Sequence, residues 1–249
     1  MRYALSRESR EILRSFLASK VLLAFDFDGT LAPIVEAPEL ARMRSDTRRL
    51  LRQLASCYPC VVLSGRSRAE LPAKLAGSGI VHTIGNHGAE PGPGAQTTRG
   101  LIARWITVLS GALSPLQGVR IEDKGLSLTI HYRQSREKAK ARAEILAVAR
   151  LLPGSRLLGG KQAISLLPKD AANKGTALLS MMTRLKCARA LFVGDDETDE
   201  DVFSLRKPSS LLTIRVGKKR DSRAAYFLRN QKETDELLRT LLQLATGKA

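Results

Sequence analysis

The segment VLLAFDFDGT, residues 21–30, decides the fold prediction. Its apolar run over residues 21–27 predicts a buried β-strand, and Asp26 and Asp28 stand where that strand ends. Gly29 allows the chain to turn sharply after the strand. Because ligands bind beyond the carboxyl ends of the strands in open parallel sheets, the two carboxylates are predicted to face a ligand crevice.

A second acidic segment, GDDETD at residues 194–199, follows the apolar run from Leu191 to Val193. Two groups of carboxylates at strand ends would repel each other unless a hard cation lay between them. Carboxylate oxygens suit Mg²⁺, which binds through a few carboxylates and keeps several waters. The sequence therefore predicts Mg²⁺ as the cofactor.

Outside these segments, short apolar runs alternate with helical patterns, which is typical of an α/β fold with a doubly wound parallel sheet. The predicted strands of this core are Val21–Phe27, Cys60–Ser64, Ile80–Gly85, Ala190–Gly194 and Leu211–Val216. Its predicted helices are Asp46–Ser56, Arg68–Ala76, Lys174–Leu185, Asp199–Leu205 and Glu233–Leu244.

The middle of the chain has a different pattern. A Gly- and Pro-rich linker is predicted over Gly85–Gly100, and an α-β-β-α-β-β unit follows it. We predict a core formed by residues 1–92 and 169–249, with an inserted α+β cap domain at 93–168. A bulky insert at this place is expected to close over the active site, choose the leaving group and exclude water.

Two further residues come at strand or helix ends and suit a phosphoryl group. Ser64, in the segment Ser64-Gly65-Arg66, can donate a hydrogen bond to a phosphoryl oxygen. Lys174 follows Asn173, a good helix N-cap, so its ammonium and the free N–H groups of the helix can meet an anion together. Phosphoryl transfer depends mainly on positioning and charge neutralisation, which these groups provide.

The bulk composition narrows the function further. In 249 residues, 41 Lys and Arg against 24 Asp and Glu give a net charge of +17. The charge raises a non-enzymatic nucleic-acid-binding module as a distant alternative, but aromatics are only 4% and no recognition motif accompanies the charge. A solvated basic surface that steers a phosphate is the favoured interpretation, and we expect no nucleic-acid partner.

The cysteines and the apolar runs bear on location. Cys57 and Cys60 form a C-x-x-C, without a second Cys/His pair for zinc and without a thioredoxin-like context. The apolar runs are too short for a membrane helix, and no signal peptide is evident. We expect a reduced, cytoplasmic protein that is a monomer and has no membrane partner.

Taken together, DFDGT, SGR, Lys174 and GDDETD resemble the four motifs of the haloacid dehalogenase (HAD) superfamily of phosphatases. The resemblance implies that Asp26 is the nucleophile and that Asp28 is the general acid and then the general base. It also implies that the carboxylates of Asp26 and Asp195 and the backbone carbonyl of Asp28 bind Mg²⁺. Asp196 and Asp199 would hold metal-bound waters or Lys174.

Several strings resemble trehalose-6-phosphate phosphatases in particular: DFDGTLAPI, LSGR, IGNHGAE, IEDKGLSLTIHYR and GDDETDED. That resemblance implies trehalose 6-phosphate as the substrate, and the resemblance to the HAD superfamily implies an aspartyl-phosphate intermediate. The residues predicted to bind the substrate are Gly29, Thr30, Gly65, Arg66, Asn86, His87, Gly88, Glu122, Lys124, Arg133, Lys161 and Ser165.

One position departs from the family pattern. The family usually carries Glu in the last strand of the insert, where this chain has Ser165. A hydroxyl still forms hydrogen bonds, but it lacks the charge and reach of a carboxylate. A phosphatase for another glycosyl phosphate, of the sucrose- or glucosylglycerol-phosphate type, therefore remains the alternative.

Overall fold

The computed structural model describes residues 1–90, 95–160, 162–205, 207 and 209–247. The chain divides into two compact units, one formed by residues 1–88 and 173 onward and the other by residues 89–172. In chain order the strands are β1 (Arg2–Tyr3), β2 (Val21–Phe25), β3 (Cys60–Leu63), β4 (His82–Ile84), β5 (Arg120–Asp123), β6 (Leu128–His131), β7 (Ser155–Gly160), β8 (Ala163–Pro168), β9 (Arg189–Gly194), β10 (Leu211–Val216) and β11 (Tyr226–Leu228). The helices are α1 (Arg7–Leu17), α2 (Ser45–Cys57), α3 (Leu71–Leu75), α4 (Ala95–Leu113), α5 (Lys138–Ala149), α6 (Lys174–Arg184), α7 (Glu200–Phe203) and α8 (Glu233–Thr246).

The first unit contains a seven-stranded sheet in the order β1-β11-β10-β9-β2-β3-β4, and every pair in it is parallel. Strand β2 lies between β9 and β3, with Phe25 opposite both Val193 and Val62. The strands therefore end together, and the residues that follow them meet at one edge of the sheet. This confirms the predicted HAD-like parallel core.

All five residues of β2 are buried, because helices cover both faces of the sheet. Val21, Leu23 and Phe25 belong to an apolar cluster with α1, α2 and α8. Leu22 and Ala24 belong to a second cluster, which includes α6. The alternation follows from the two-residue period of a strand.

The second unit contains an antiparallel sheet in the order β5-β6-β8-β7. Helices α4 and α5 contribute Trp105, Leu109 and Ile145 to its apolar core, together with Ile130 and Leu166 of the sheet. The order of elements is the predicted α-β-β-α-β-β.

The local secondary structure differs from the sequence analysis in three ways. The linker prediction is wrong over residues 95–100, which form the first turns of α4. Helix α1, the short edge strand β1 and the short strand β11 beside it were not predicted at all. The helix predicted at Asp199–Leu205 is a 3-10 turn at Glu197–Asp199 followed by the short α7. Within the described ranges, no helix has both the length and the apolar character to span a bilayer.

Candidate active site

The segment DFDGT, residues 26–30, follows β2 and lies against the second acidic segment, residues 194–199. Asp26 is buried, and its N–H donates to the carbonyl of Val193 at 2.8 Å. Gly29 has φ +85°, and a Cβ at this position would overlap the carboxylate of Asp195. Only glycine accommodates both that backbone conformation and that approach, so Gly29 brings the turn against Asp195.

Three buried carboxylates from distant parts of the chain meet at this edge. One oxygen from each of Asp26, Asp195 and Asp199 lies within 4.8 Å of the other two. The Nζ of Lys174 donates to Asp26 Oδ1 at 2.8 Å and to Asp199 Oδ1 at 2.6 Å. The structure thus brings together the nucleophile, metal-ligand and lysine positions that the sequence predicts.

The start of α6 fixes Lys174 in this cluster. The side chain of Asn173 accepts from the N–H of Thr176 at 2.9 Å, and the hydroxyl of Thr176 accepts from the N–H of Asn173 at 2.9 Å. This reciprocal capping box fixes the first turn of the helix, where Lys174 is the first residue.

Burial makes the charges in this cluster depend on one another. Burial raises the pKa of Asp26, and the carboxylates of Asp199 and Asp195 raise it further, against the opposing effect of Lys174. Burial alone would lower the pKa of Lys174, but Asp199 and Asp26 hold it above its ordinary value. A further positive charge would offset the excess of carboxylates, and their oxygens are the ligands that Mg²⁺ prefers. The donor set therefore fits a magnesium ion.

The Asp28 carboxylate is held by Arg66 in a bidentate ion pair. Arg66 Nε donates to Asp28 Oδ2 at 2.8 Å, and Nη2 donates to Oδ1 at 2.7 Å. The same guanidinium donates to the carbonyl of Pro38 at 2.6 Å and to Glu70 at 3.3 Å. Burial would lower the pKa of Arg66, but the hydrogen bonds to Asp28 raise it. The sequence predicts Arg66 as a substrate contact. In the structure all three nitrogens of its guanidinium donate to protein oxygens.

The loop that carries Ser64 is joined to the turn at residues 86–88. The N–H of His87 donates to the carbonyl of Ser64 at 2.9 Å, and the N–H of Asn86 donates to that of Arg66 at 2.8 Å. Gly65 faces the His87 ring so closely that a Cβ would overlap it. Asn86 and His87 have φ values of 48° and 57°, a left-handed conformation that is uncommon outside glycine. Gly88 completes this turn.

The two acidic residues predicted to hold metal-bound waters or Lys174 take different positions. Asp199 contacts Lys174, and its Oδ2 accepts from the N–H of Asp196 at 2.9 Å. Asp196 is the N-cap residue of the 3-10 turn that follows β9. Burial raises the pKa of Asp196.

Thr30, predicted to bind substrate, is fully buried with its hydroxyl 3.5 Å from Asp195 Oδ1.

In the second unit, Glu122 and Ser165 lie in one row across the sheet, because both pair with Thr129. Glu122 Oε2 lies 2.7 Å from His131 Nε2 and 3.9 Å from Lys124 Nζ. The His131 hydrogen bond lowers the pKa of Glu122. Ser165 Oγ lies 2.9 Å from Thr129 Oγ1. Arg133 is partly buried, and Lys161 lies outside the described residues.

Two residues that the sequence analysis did not single out support these groups. His131 lies two residues after Thr129 on the same strand face, so the register of β5 and β6 makes it the diagonal neighbour of Glu122. The two-residue period of β5 and β6 puts Glu122 and His131 on the same face of the sheet, and this period is the sequence signal for the pair. Gln231 donates to the carbonyl of Thr30 at 3.0 Å, a contact across 201 positions that no local pattern reveals.

The chain is a HAD-type phosphatase, as its family match and the solved structures similar to it show. One of them, described as a trehalose-6-phosphate phosphatase related protein, is 28% identical with a TM-score of 0.73 and covers 92% of this chain and 100% of that one. The trehalose-phosphatase family model matches residues 24–232, so the chain belongs to that family.

Named relatives support this assignment. A probable trehalose-phosphate phosphatase 4 of Oryza sativa is 28% identical over 94% of this chain and 69% of the relative. A trehalose-phosphate phosphatase of Mycobacterium bovis is 32% identical over 77% of this chain and 53% of its own length.

Proposed function

We propose that this phosphatase hydrolyses trehalose 6-phosphate to trehalose and phosphate, with Mg²⁺ and through an aspartyl-phosphate on Asp26. The observation that carries the proposal is the buried cluster in which Lys174 joins Asp26 and Asp199 beside Asp195. Membership of the trehalose-phosphatase family supports the choice of sugar.

The first step transfers the phosphoryl group to the protein. A carboxylate oxygen of Asp26 attacks phosphorus, and the bond from phosphorus to the sugar oxygen breaks. Asp28 reacts in its protonated form and gives that proton to the departing oxygen, so the sugar leaves as an alcohol. Arg66 orients the Asp28 carboxyl group through its two hydrogen bonds.

The second step returns the protein to its starting state. Asp28, now a carboxylate, takes a proton from water as the water oxygen bonds to phosphorus. The bond between phosphorus and Asp26 breaks, and phosphate is released. Splitting the hydrolysis in this way replaces one difficult displacement with two easier ones.

Charge on the phosphoryl oxygens is offset by groups held in place beforehand. Lys174 supplies a buried ammonium, and Ser64 supplies a hydroxyl donor. Mg²⁺, when bound, neutralises negative charge on the phosphoryl group and orients it. The carboxylates of Asp26 and Asp195 and the backbone carbonyl of Asp28 would hold the ion, and Asp196 and Asp199 would hold its waters or Lys174.

Sugar recognition is assigned to the polar groups that the family resemblance indicates. We propose that the segments 29–30 and 64–66 contact the substrate, that residues 86–88 line the sugar pocket, and that an inserted cap at residues 93–168 recognises the disaccharide. The proposed sugar contacts of the insert are Glu122, Lys124, Arg133, Lys161 and Ser165.

Cys57, Cys60 and Cys187 are free, which agrees with the proposed reduced cytoplasmic location.

The test is phosphate release from a panel of sugar phosphates at saturating Mg²⁺. We expect kcat/KM for trehalose 6-phosphate to exceed that for sucrose 6-phosphate, glucosylglycerol phosphate and glucose 6-phosphate by at least about 100-fold, because a site built for many hydroxyl contacts rejects sugars that leave them unpaired. Asp26→Asn serves as the background control for each substrate. Equal values across the panel would refute the narrow specificity and leave the phosphatase chemistry intact.

A phosphatase for another glycosyl phosphate is the second candidate. The observation that favours it is the Ser165 hydroxyl, which bonds to Thr129 within the sheet where the family pattern has a carboxylate. Under this alternative, one of the other glycosyl phosphates in the panel has the highest kcat/KM.

A further inference from the structure

Arg215 is a buried charge in an otherwise uncharged strand. It is 6% exposed, and β10 (LLTIRV) is buried along its whole length. A guanidinium is seldom buried so deeply unless it is paired, because removing it from water is costly. The partners of Arg215 should therefore reveal its role.

Those partners are the main chain of the second acidic segment. Nη2 of Arg215 donates to the carbonyl oxygen of Asp195, and Nη1 donates to that of Asp196 at 3.1 Å. Strand register places Arg215 opposite Gly194, the last residue of β9. The guanidinium thus holds two successive carbonyls at the point where the Asp195 carboxylate joins the cluster with Asp26.

A carboxylate fixes the guanidinium in turn. Nη1 of Arg215 also donates to Glu200 Oε1 at 3.2 Å, and Glu200 Oε2 accepts from the N–H of Arg223 at 3.0 Å. Arg215 is therefore anchored on three groups, two of which belong to the loop after β9. Charge-assisted hydrogen bonds of this kind are stronger than neutral ones and restrict the loop geometry.

The negative charge of the neighbouring residues explains why a positively charged side chain is needed at this position. Six of the seven residues from Asp195 to Asp201 are acidic. Lys174 reaches side-chain oxygens of the cluster, whereas Arg215 reaches the main chain of the same loop. A buried positive charge at the main chain of this loop opposes the mutual repulsion of these residues.

We propose that Arg215 is a positioning residue for the metal site. It holds the main chain of Asp195 and Asp196, keeps the Asp195 carboxylate beside Asp26 and Asp199, and thereby sets the affinity for the divalent ion. This inference rests on the proposed function, which assigns the ion to this cluster.

Direct binding of Mn²⁺, a spectroscopic substitute for Mg²⁺, tests the inference without substrate. Free Mn²⁺ is counted by electron paramagnetic resonance during titration of wild type, Arg215→Met and Arg215→Lys. We expect Arg215→Met to weaken binding by about 10- to 100-fold, as is usual when a group that orients metal ligands is lost. Arg215→Lys keeps the charge but cannot reach all three acceptors, so its loss is smaller.

Lys219→Ala is the matched control. Lys219 follows the same strand and pairs with Glu197 at 3.3 Å, but both side chains are exposed. Its removal takes one positive charge from the neighbourhood without touching the main chain of residues 195–196, so the affinity for Mn²⁺ should stay at the wild-type value. A loss equal to that of Arg215→Met would overturn the positioning role in favour of a general charge effect.

The outcomes distinguish failure of the proposed metal site from failure of the proposed role of Arg215. If wild type binds Mn²⁺ no better than Asp195→Asn does, the metal site and this inference both fail. If wild type binds it and folded Arg215→Met binds it equally, this inference alone fails. Should circular dichroism show that Arg215→Met is unfolded, Arg215→Lys and Glu200→Gln decide, and wild-type affinity in both would overturn the inference.

Discussion

The two polar regions of this chain, one at the end of the parallel sheet and one on the antiparallel sheet, differ in their exposure to water. At the end of the parallel sheet, the side chains of Lys174 and Asp26 are 2% and 6% exposed. On the antiparallel sheet, those of His131 and Glu122 are 21% and 30% exposed. Water can screen the Glu122 carboxylate and hardly reaches Lys174 and Asp26.

Because of this difference in exposure, the charged groups of the two regions depend on their partners to different degrees. In the buried cluster every charge relies on its partners, because an unpaired buried charge has no solvent to compensate it. On the antiparallel sheet a single charge can be removed with little effect on the fold. We therefore expect changes in the first region to abolish chemistry or stability and changes in the second to alter mainly substrate affinity.

The largest effect is expected from Asp26→Asn. An amide cannot form the acyl-phosphate bond, so kcat for trehalose 6-phosphate should fall by several orders of magnitude, in keeping with enhancements that reach ~10²¹ for phosphate monoesters. The amide has the same shape as the carboxylate, and Lys174 keeps Asp199 as a partner, so the fold should stay intact. Phosphate release and circular dichroism measure the two parts. A variant with most of the wild-type turnover would refute nucleophilic catalysis at Asp26.

Removal of divalent cations should stop the reaction reversibly. EDTA is expected to reduce phosphate release to the background of Asp26→Asn, and excess Mg²⁺ should restore it, because the ion would neutralise negative charge on the phosphoryl group. EDTA already saturated with Mg²⁺ is the control for effects of the chelator itself. Full activity in metal-free buffer would contradict the proposed cofactor.

Lys174→Met should destabilise the fold as well as the reaction. The change leaves Asp26 and Asp199 without their ammonium partner, and breaking a buried pair typically costs about 3–5 kcal/mol. The free energy of unfolding is measured by urea denaturation. Lys219→Met, which breaks an exposed pair, is the matched control and should cost about 1 kcal/mol or less. Equal losses in the two variants would remove the contrast between buried and exposed charges.

The smallest effect on the reaction is expected from Glu122→Gln. The side chain lies in the partly exposed row of the antiparallel sheet, so the change should raise KM for trehalose 6-phosphate by about 10-fold with little change in kcat. Steady-state kinetics on folded protein separates the two constants. A large fall in kcat at unchanged KM would show that Glu122 acts in the chemical step instead.

The sequence predicted the buried cluster better than its supports. Asp26 and Asp195 each follow an apolar strand, and parallel strands end at a common edge, so local patterns were enough to bring them together. The partners of Asp28 and Thr30 come from positions far along the chain, namely Arg66 and Gln231. Such contacts depend on how loops pack, which single-sequence patterns do not encode.

Secondary structure was missed where the local signal is weak. Strands β1 and β11 have two and three residues, too few to show a periodicity. The first turns of α4 read AQTTRG, which has hardly any apolar residues and follows a Gly- and Pro-rich run, so composition favoured a linker. Tertiary packing outweighs local propensity at such places.

Trapping the phosphorylated protein tests the central claim most directly. Acid quenching within a single turnover on trehalose 6-phosphate with Mg²⁺, followed by peptide mass spectrometry, should find a phosphoryl group on the peptide that contains Asp26. Asp26→Asn should abolish it, because that variant lacks the attacking carboxylate. Release of phosphate within the turnover without any phosphorylated Asp26 peptide would contradict the account.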